Sequence, residues 1–161
     1  MATRIIAVDG AGGAGKSTLA VQLAAALDGA PIVQTDDFAS WDDPVDWWPR
    51  LLDDVLRPLA RGETARFVRS SWGREEDGTW AEVAPSEFVI LEGVSASREA
   101  FRPFLTYSIW VEAPREVRLA RGLERDGDDA RRQWEEWMTE EDRYVARERP
   151  RERADRVVQG A

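Results

Sequence analysis

Gly10-Ala11-Gly12-Gly13-Ala14-Gly15-Lys16-Ser17-Thr18 is the stretch on which the reading of this chain turns. It satisfies GxxxxGK[ST], a loop whose glycines let backbone N–H groups wrap an anion and whose lysine reaches along a polyphosphate. The β-branched run Arg4-Ile5-Ile6-Ala7-Val8 precedes it and predicts a buried parallel strand. Ser17 to Leu27 follows as a helix with Leu19, Leu23 and Leu27 on one face. Strand, glycine-rich loop and helix in that order are the context that separates a phosphate cradle from a flexible linker. Lys16 is also the chain's one lysine among 22 basic residues; the others are arginine. A compact ammonium on a flexible stem suits that position better than a planar guanidinium.

Further strands are predicted at 31–34, 88–91, 108–111 and 156–158, and helices at 45–59, 115–125 and 130–149. Between 65 and 83 apolar alternation around a glycine-bearing stretch (73–78) predicts a hairpin-like excursion. Strands alternating with helices predict an α/β fold wound about a parallel sheet.

The 161 residues are expected to form one domain, without repeats or linkers. There is no cysteine and no histidine, which removes thiolate chemistry and the commonest general base and leaves acid–base work to carboxylates. A net charge of −9 argues against nucleic-acid or anionic-membrane binding. No run reaches membrane-spanning length and no signal segment is evident, so the cytoplasm is the expected compartment.

In the loop, Gly10 to Gly15 would surround a β-phosphate and Lys16 would lie between the β and γ positions. Ser17 would place its hydroxyl on Mg²⁺, and Thr18 would reach the α-phosphate. Glu92 ends the apolar run Val89-Ile90-Leu91, where a strand delivers an acid to the carboxyl edge of a sheet. Asp36-Asp37 ends the short strand before it, and one of the pair is placed to take a proton near the metal; the plainer reading is a turn or helix cap. Arg118, Arg121 and Arg125 share a helical face ahead of the hinge Gly127-Asp128-Asp129, as a lid over phosphates would; a solvated face is the alternative. The charged helix beyond it reads as an ordinary surface, with Trp134 and Trp137 as core.

These pieces together resemble the uridine kinase-like group of P-loop kinases. Beyond the loop, the resemblance rests on Thr35-Asp36-Asp37-Phe38, Val89-Ile90-Leu91-Glu92-Gly93-Val94 and Ile109-Trp110-Val111-Glu112-Ala113-Pro114. Arg118-Leu119-Ala120-Arg121 with Arg125-Asp126, and Arg153-Ala154-Asp155-Arg156-Val157-Val158, complete it. It implies a three-layer α/β/α P-loop NTPase fold, a five-stranded parallel sheet with a helical lid at about 115–132 and an acceptor-side insertion at about 40–85. ATP and Mg²⁺ are the implied cofactors, and a small-molecule hydroxyl is the implied acceptor. Asp36 corresponds to the catalytic aspartate, Glu92 joins Ser17 and Asp36 at the metal, and Arg118, Arg121 and Arg125 match the lid. Asp155 falls before the last strand, whose following loop borders the adenine in that group. Asp37, Phe38, Arg69 and Trp72 fall on the acceptor side.

The chain departs from the group between 66 and 72, where Ser71 stands in place of an acceptor-reading aspartate, and it lacks the group's histidine. Three readings follow: a kinase with a nucleoside-like acceptor, a nucleoside monophosphate or other small-molecule kinase drawing on Arg50, Arg57, Arg66 and Arg69, or a non-catalytic ATP-binding regulator. Oligomeric state is left open, and a homo-oligomer is compatible with the sequence.

Overall fold

β1 (Arg4–Asp9) is the middle strand of a five-stranded parallel sheet ordered β2-β5-β1-β6-β7. This computed structural model describes residues 2–72 and 78–160. The other strands of the sheet are β2 (Ile32–Gln34), β5 (Phe88–Glu92), β6 (Leu105–Glu112) and β7 (Arg156–Gln159). β3 (Ala65–Val68) and β4 (Trp80–Val83) pair antiparallel as a separate ribbon, with Phe67 opposite Ala81. The antiparallel pairing expected between 65 and 83 is therefore present; residues 73–77 of the glycine-bearing stretch expected within it lie outside the described residues.

The period of two along β1 sorts its side chains to opposite faces. Ile5 and Ala7 join Val89 and Leu91 of β5 in the larger core, under Leu51, Val55, Leu56 and Leu59. Ile6 and Val8 join Ile90, Ile109 and Val111 in a second core under α1 (Lys16–Ala26), where Leu19, Leu23 and Leu27 pack. Both faces of the sheet are covered, which gives the three layers expected. A third, smaller core of Leu123, Ala130, Trp134 and Met138 binds α4 (Arg115–Asp126) to α5 (Arg131–Glu148).

The helix expected at 45–59 has three parts: α2 (Trp48–Leu51), a π-helical turn (Leu52–Leu56) and α3 (Arg57–Ala60). Pro58 explains the widening. In a regular helix its ring would strike the carbonyl of Asp54, and it has no N–H to offer that carbonyl. β6 begins three residues earlier than expected, because Leu105 to Tyr107 pair beside Ile5 and Ile6 across a register shift. Thr106 and Tyr107 are exposed, so no apolar pattern marks them. A 3₁₀ segment (Glu99–Phe104) and the short α6 (Pro150–Arg153) were not expected. Among the described residues no helix is long and apolar enough to cross a membrane.

Candidate active site

The carboxyl ends of β1, β2 and β5 meet at one cleft of about 650 Å³. Its floor is the loop between β1 and α1, with Gly12, Gly13, Gly15, Lys16, Ser17 and Thr18 facing in. Asp9, the last residue of β1, anchors that loop from below. Its buried carboxylate accepts hydrogen bonds from the Gly10 N–H (2.7 Å), the Ser95 and Ser97 N–H groups (2.9 and 3.1 Å), and the Ser97 and Tyr144 hydroxyls (both 2.6 Å). Burial pushes Asp9 above the usual carboxylate range, and these bonds pull against it.

Two glycines set the approach of neighbouring segments. Gly13 has φ +78° and lies so close to α4 that a Cβ would come within 2.6 Å of the Arg118 carbonyl oxygen. Gly93, at φ +139°, follows Glu92, and a Cβ there would collide with Thr35 Oγ1. The ends of β5 and β2 can therefore close until Glu92 and Asp36 share the cleft wall.

Lys16 is buried and donates from Nζ to the Ala11 carbonyl (2.8 Å), folding back across its own loop. The Ser17 hydroxyl lies 3.3 Å from Glu92 Oε1. Burial pushes Glu92 above its ordinary value, Lys16 opposes that and the Asp36 carboxylate adds to it. One hydroxyl and one carboxylate facing a phosphate cradle match what Mg²⁺ takes from protein, since it keeps waters and phosphate oxygens for the rest.

Asp36 lines the cleft with an exposed side chain, and its carbonyl oxygen accepts the indole N–H of Trp72 (2.8 Å). That bond holds Trp72 at φ +55°, a left-handed conformation costly for a bulky residue. Trp41, Trp72 and Trp137 form a mutually packed wall with ring centroids 5.5 to 5.7 Å apart. Asp37 turns away to Arg69 Nε (3.6 Å). Burial raises Asp37 while Arg69 opposes it. Phe38 is buried, stacked on Phe67 at 4.9 Å beneath the Arg50 guanidinium, and does not line the cleft.

The arginine row divides. Arg125 lines the cleft, pairs with Asp126 (3.1 Å) and lies over the Trp134 ring at 5.5 Å. Arg121 donates to the Gly13 carbonyl (3.0 Å) and braces the loop, Arg118 donates to the Ala113 carbonyl (3.0 Å) and braces the start of α4, and neither lines the cleft. Asp155 accepts the Ser108 N–H (2.8 Å) at the seam of β6 and β7, away from the cleft lining. The α5 helix, expected to be an ordinary charged surface, contributes Trp134 and Trp137 to the cleft and a buried Glu141 to the loop. The signal was present in the sequence: Trp134, Trp137, Met138, Glu141 and Tyr144 recur at helical spacing, which places an acid on an otherwise apolar face.

The chain resembles a possible uridine kinase from Bacillus stearothermophilus, with TM-score 0.75 and 20% identity over 99% of this chain and 90% of the other. The P-loop kinase fold is thereby established. A candidate fructose transport system kinase from Silicibacter sp. TM1040 shares that fold at TM-score 0.73 and 23% identity, over 97% of this chain and 89% of the other. Shikimate kinase from Acinetobacter baumannii, in complex with shikimate, aligns more loosely at TM-score 0.51 and 16% identity, over 99% and 84%. No protein-family model matches the chain, and no curated protein matches it. Within the P-loop kinase fold, the site described above occupies the carboxyl edge of the sheet, where open α/β sheets bind ligands.

Proposed function

We propose that this chain is a P-loop kinase that transfers the γ-phosphoryl group of ATP to a hydroxyl of a small, uncharged, nucleoside-like acceptor. The observation that carries the reading is the joint placement of Lys16, Ser17, Glu92 and Asp36 around one cleft floored by the phosphate loop. Mg²⁺-bound ATP supplies the transferable group when present. The loop N–H groups and Lys16 bind and orient its phosphates, while Ser17 and Glu92 are the groups that would hold the metal. Asp36 is exposed in the cleft and takes the proton of the acceptor hydroxyl as the bond to phosphorus forms. Arg125, on the opposite wall, offsets charge on the transferring group. Trp41, Trp72 and Trp137 give the acceptor an aromatic wall of edge-to-face rings and keep bulk water from competing.

The arginines on the acceptor side favour an uncharged acceptor over a phosphorylated one. Arg69 is engaged with Asp37, Arg66 with Glu82 (2.8 Å), Arg57 with Asp53, and Arg50 with the Val68 carbonyl (2.8 Å). None of these four lines the cleft. With its net charge of −9 the chain is read as acting on a free small molecule in the cytoplasm, without nucleic-acid or membrane partners.

The test is a panel of nucleosides, sugars, nucleoside monophosphates and shikimate-like acids, assayed for acceptor-dependent ADP release with Asp36→Asn as control. Turnover with uncharged alcohols that the variant loses supports the reading. Turnover confined to phosphorylated acceptors would move the function to a nucleotide kinase. Nucleotide binding without turnover on any acceptor would leave a regulatory ATP-binding protein.

A further inference from the structure

We infer that Glu141 is a positioning residue of the phosphate loop, fixing the Gly12 amide from the helix that follows the lid; this rests on the kinase reading above. Glu141 Oε2 accepts the Gly12 N–H at 2.6 Å and the Trp137 indole N–H at 2.9 Å. The carboxylate is buried, and its other oxygen has no hydrogen-bond partner among the described residues. The Arg118 guanidinium on α4 lies 3.9 Å from that oxygen. Gly12 meets α5 with nothing between them. A Cβ there would lie 3.0 Å from the Trp134 ring and 3.3 Å from Glu141 Oε2.

An acid is an expensive group to bury, and hydrogen bonding to Gly12 and Trp137 does not by itself demand the charge, since an amide oxygen would take both donors. Burial raises Glu141, while the Gly12 amide, Lys16, Trp137 and Arg118 all stabilise its charged form. The carboxylate thus sits among the loop, its lysine and a lid arginine, with α5 as its support. Its physical effect is preorganisation. With the third residue of the loop already held, an incoming polyphosphate pays less to order the backbone that wraps it. Because α5 follows α4 through Gly127 and the 3₁₀ turn Asp128–Ala130, Glu141 ties the far side of the lid to the floor of the site, beside the bond that Arg121 makes to the Gly13 carbonyl.

The experiment is calorimetric titration of MgATP into wild type, Glu141→Ala and Glu141→Gln, with steady-state constants for ATP and for the acceptor found in the panel above. Without its acceptor the loop loses its brace, so Glu141→Ala is expected to weaken MgATP about tenfold or more and raise the KM for ATP in step, with the acceptor KM unchanged. Glu141→Gln keeps an oxygen for both donors and is expected within about threefold of wild type. If the alanine variant does not fold, Glu141→Asp replaces it; one methylene short of Gly12 but still charged, it is expected to weaken MgATP like alanine. Binding by Glu141→Ala as tight as wild type or tighter overturns the inference, because the carboxylate would then be idle or an obstacle to the anion. So does a glutamine variant as weak as alanine. A folded wild type that binds no MgATP overturns the kinase reading and this inference together.

Discussion

Ser17 and Glu92 face each other across the cleft, with hydroxyl and carboxylate oxygens 3.3 Å apart, joining the first turn of α1 to the end of β5. Glu92→Gln is expected to lower apparent Mg²⁺ affinity about tenfold with a smaller effect on metal-free nucleotide binding. The pH dependence follows from the raised acid. Wild-type metal affinity declines as pH falls through the elevated Glu92 value, and the variant lacks that step. For stability the sign is opposite. A carboxyl whose folded value is raised favours the fold below its unfolded value near 4.5, and that contribution is lost as pH rises through the folded value. Glu92→Gln is therefore expected to melt higher than wild type at neutral pH, with the gap narrowing towards pH 4; a lower Tm at pH 7 would contradict this.

Among the described residues the Asp36 side chain makes no hydrogen bond or ion pair, while its backbone carbonyl accepts the Trp72 indole N–H. Asp36→Asn preserves that carbonyl and removes the base. Turnover is expected to fall by about 10²- to 10⁴-fold while MgATP affinity stays within about threefold. Equal losses in kcat and affinity, measured by steady-state kinetics and calorimetry, would make Asp36 a binding residue instead.

Tyr144 reaches from α5 to Asp9 beneath the loop, its hydroxyl 2.6 Å from Oδ2. Tyr144→Phe removes one of five hydrogen bonds to a buried acid and keeps the ring. A loss of about 2 kcal/mol in urea unfolding is expected. No change in midpoint would show that Ser97, Ser95 and Gly10 suffice to hold the carboxylate.

Gly122 on α4 lies against the Trp134 ring, where a Cβ would approach Trp134 Cζ2 to 2.5 Å. Elsewhere on a helix Gly→Ala is favourable, but here the indole must move, and with it a wall of the cleft. Gly122→Ala is expected to cost about 2 kcal/mol of stability and to disturb ATP turnover. A stabilised variant with normal kinetics would show that the lid packing is looser than described.

The strand, loop and helix from Arg4 to Ala26 were legible because local chemistry alone specifies them: β-branched residues, glycines, then a leucine face. Glu92 was legible for the same reason, as an acid closing an apolar run. The arginine row was legible as a face but not as a set of roles. Which of its members meets the cleft depends on Asp126, Ala113 and Gly13, brought near by the fold rather than by spacing. Phe38 sits beside the catalytic candidates in sequence and would be expected to meet the acceptor, yet the turn after β2 sends its ring into the core against Phe67. Glu141 was hidden among many surface acids of one charged helix. Its spacing from Trp134, Trp137, Met138 and Tyr144 sets it apart from Glu135, Glu136 and Glu140, and the burial of that face against the loop gives the spacing its meaning.

The proposed transfer depends first on the glycine-rich loop and Lys16 binding the phosphates of ATP. Calorimetric titration of MgATP into folded wild type and Lys16→Ala tests it directly. Saturable heat at one site per chain in wild type, weakened about a hundredfold or more in the variant, is the expected result. Absence of heat in wild type, or equal binding by both proteins, would contradict it.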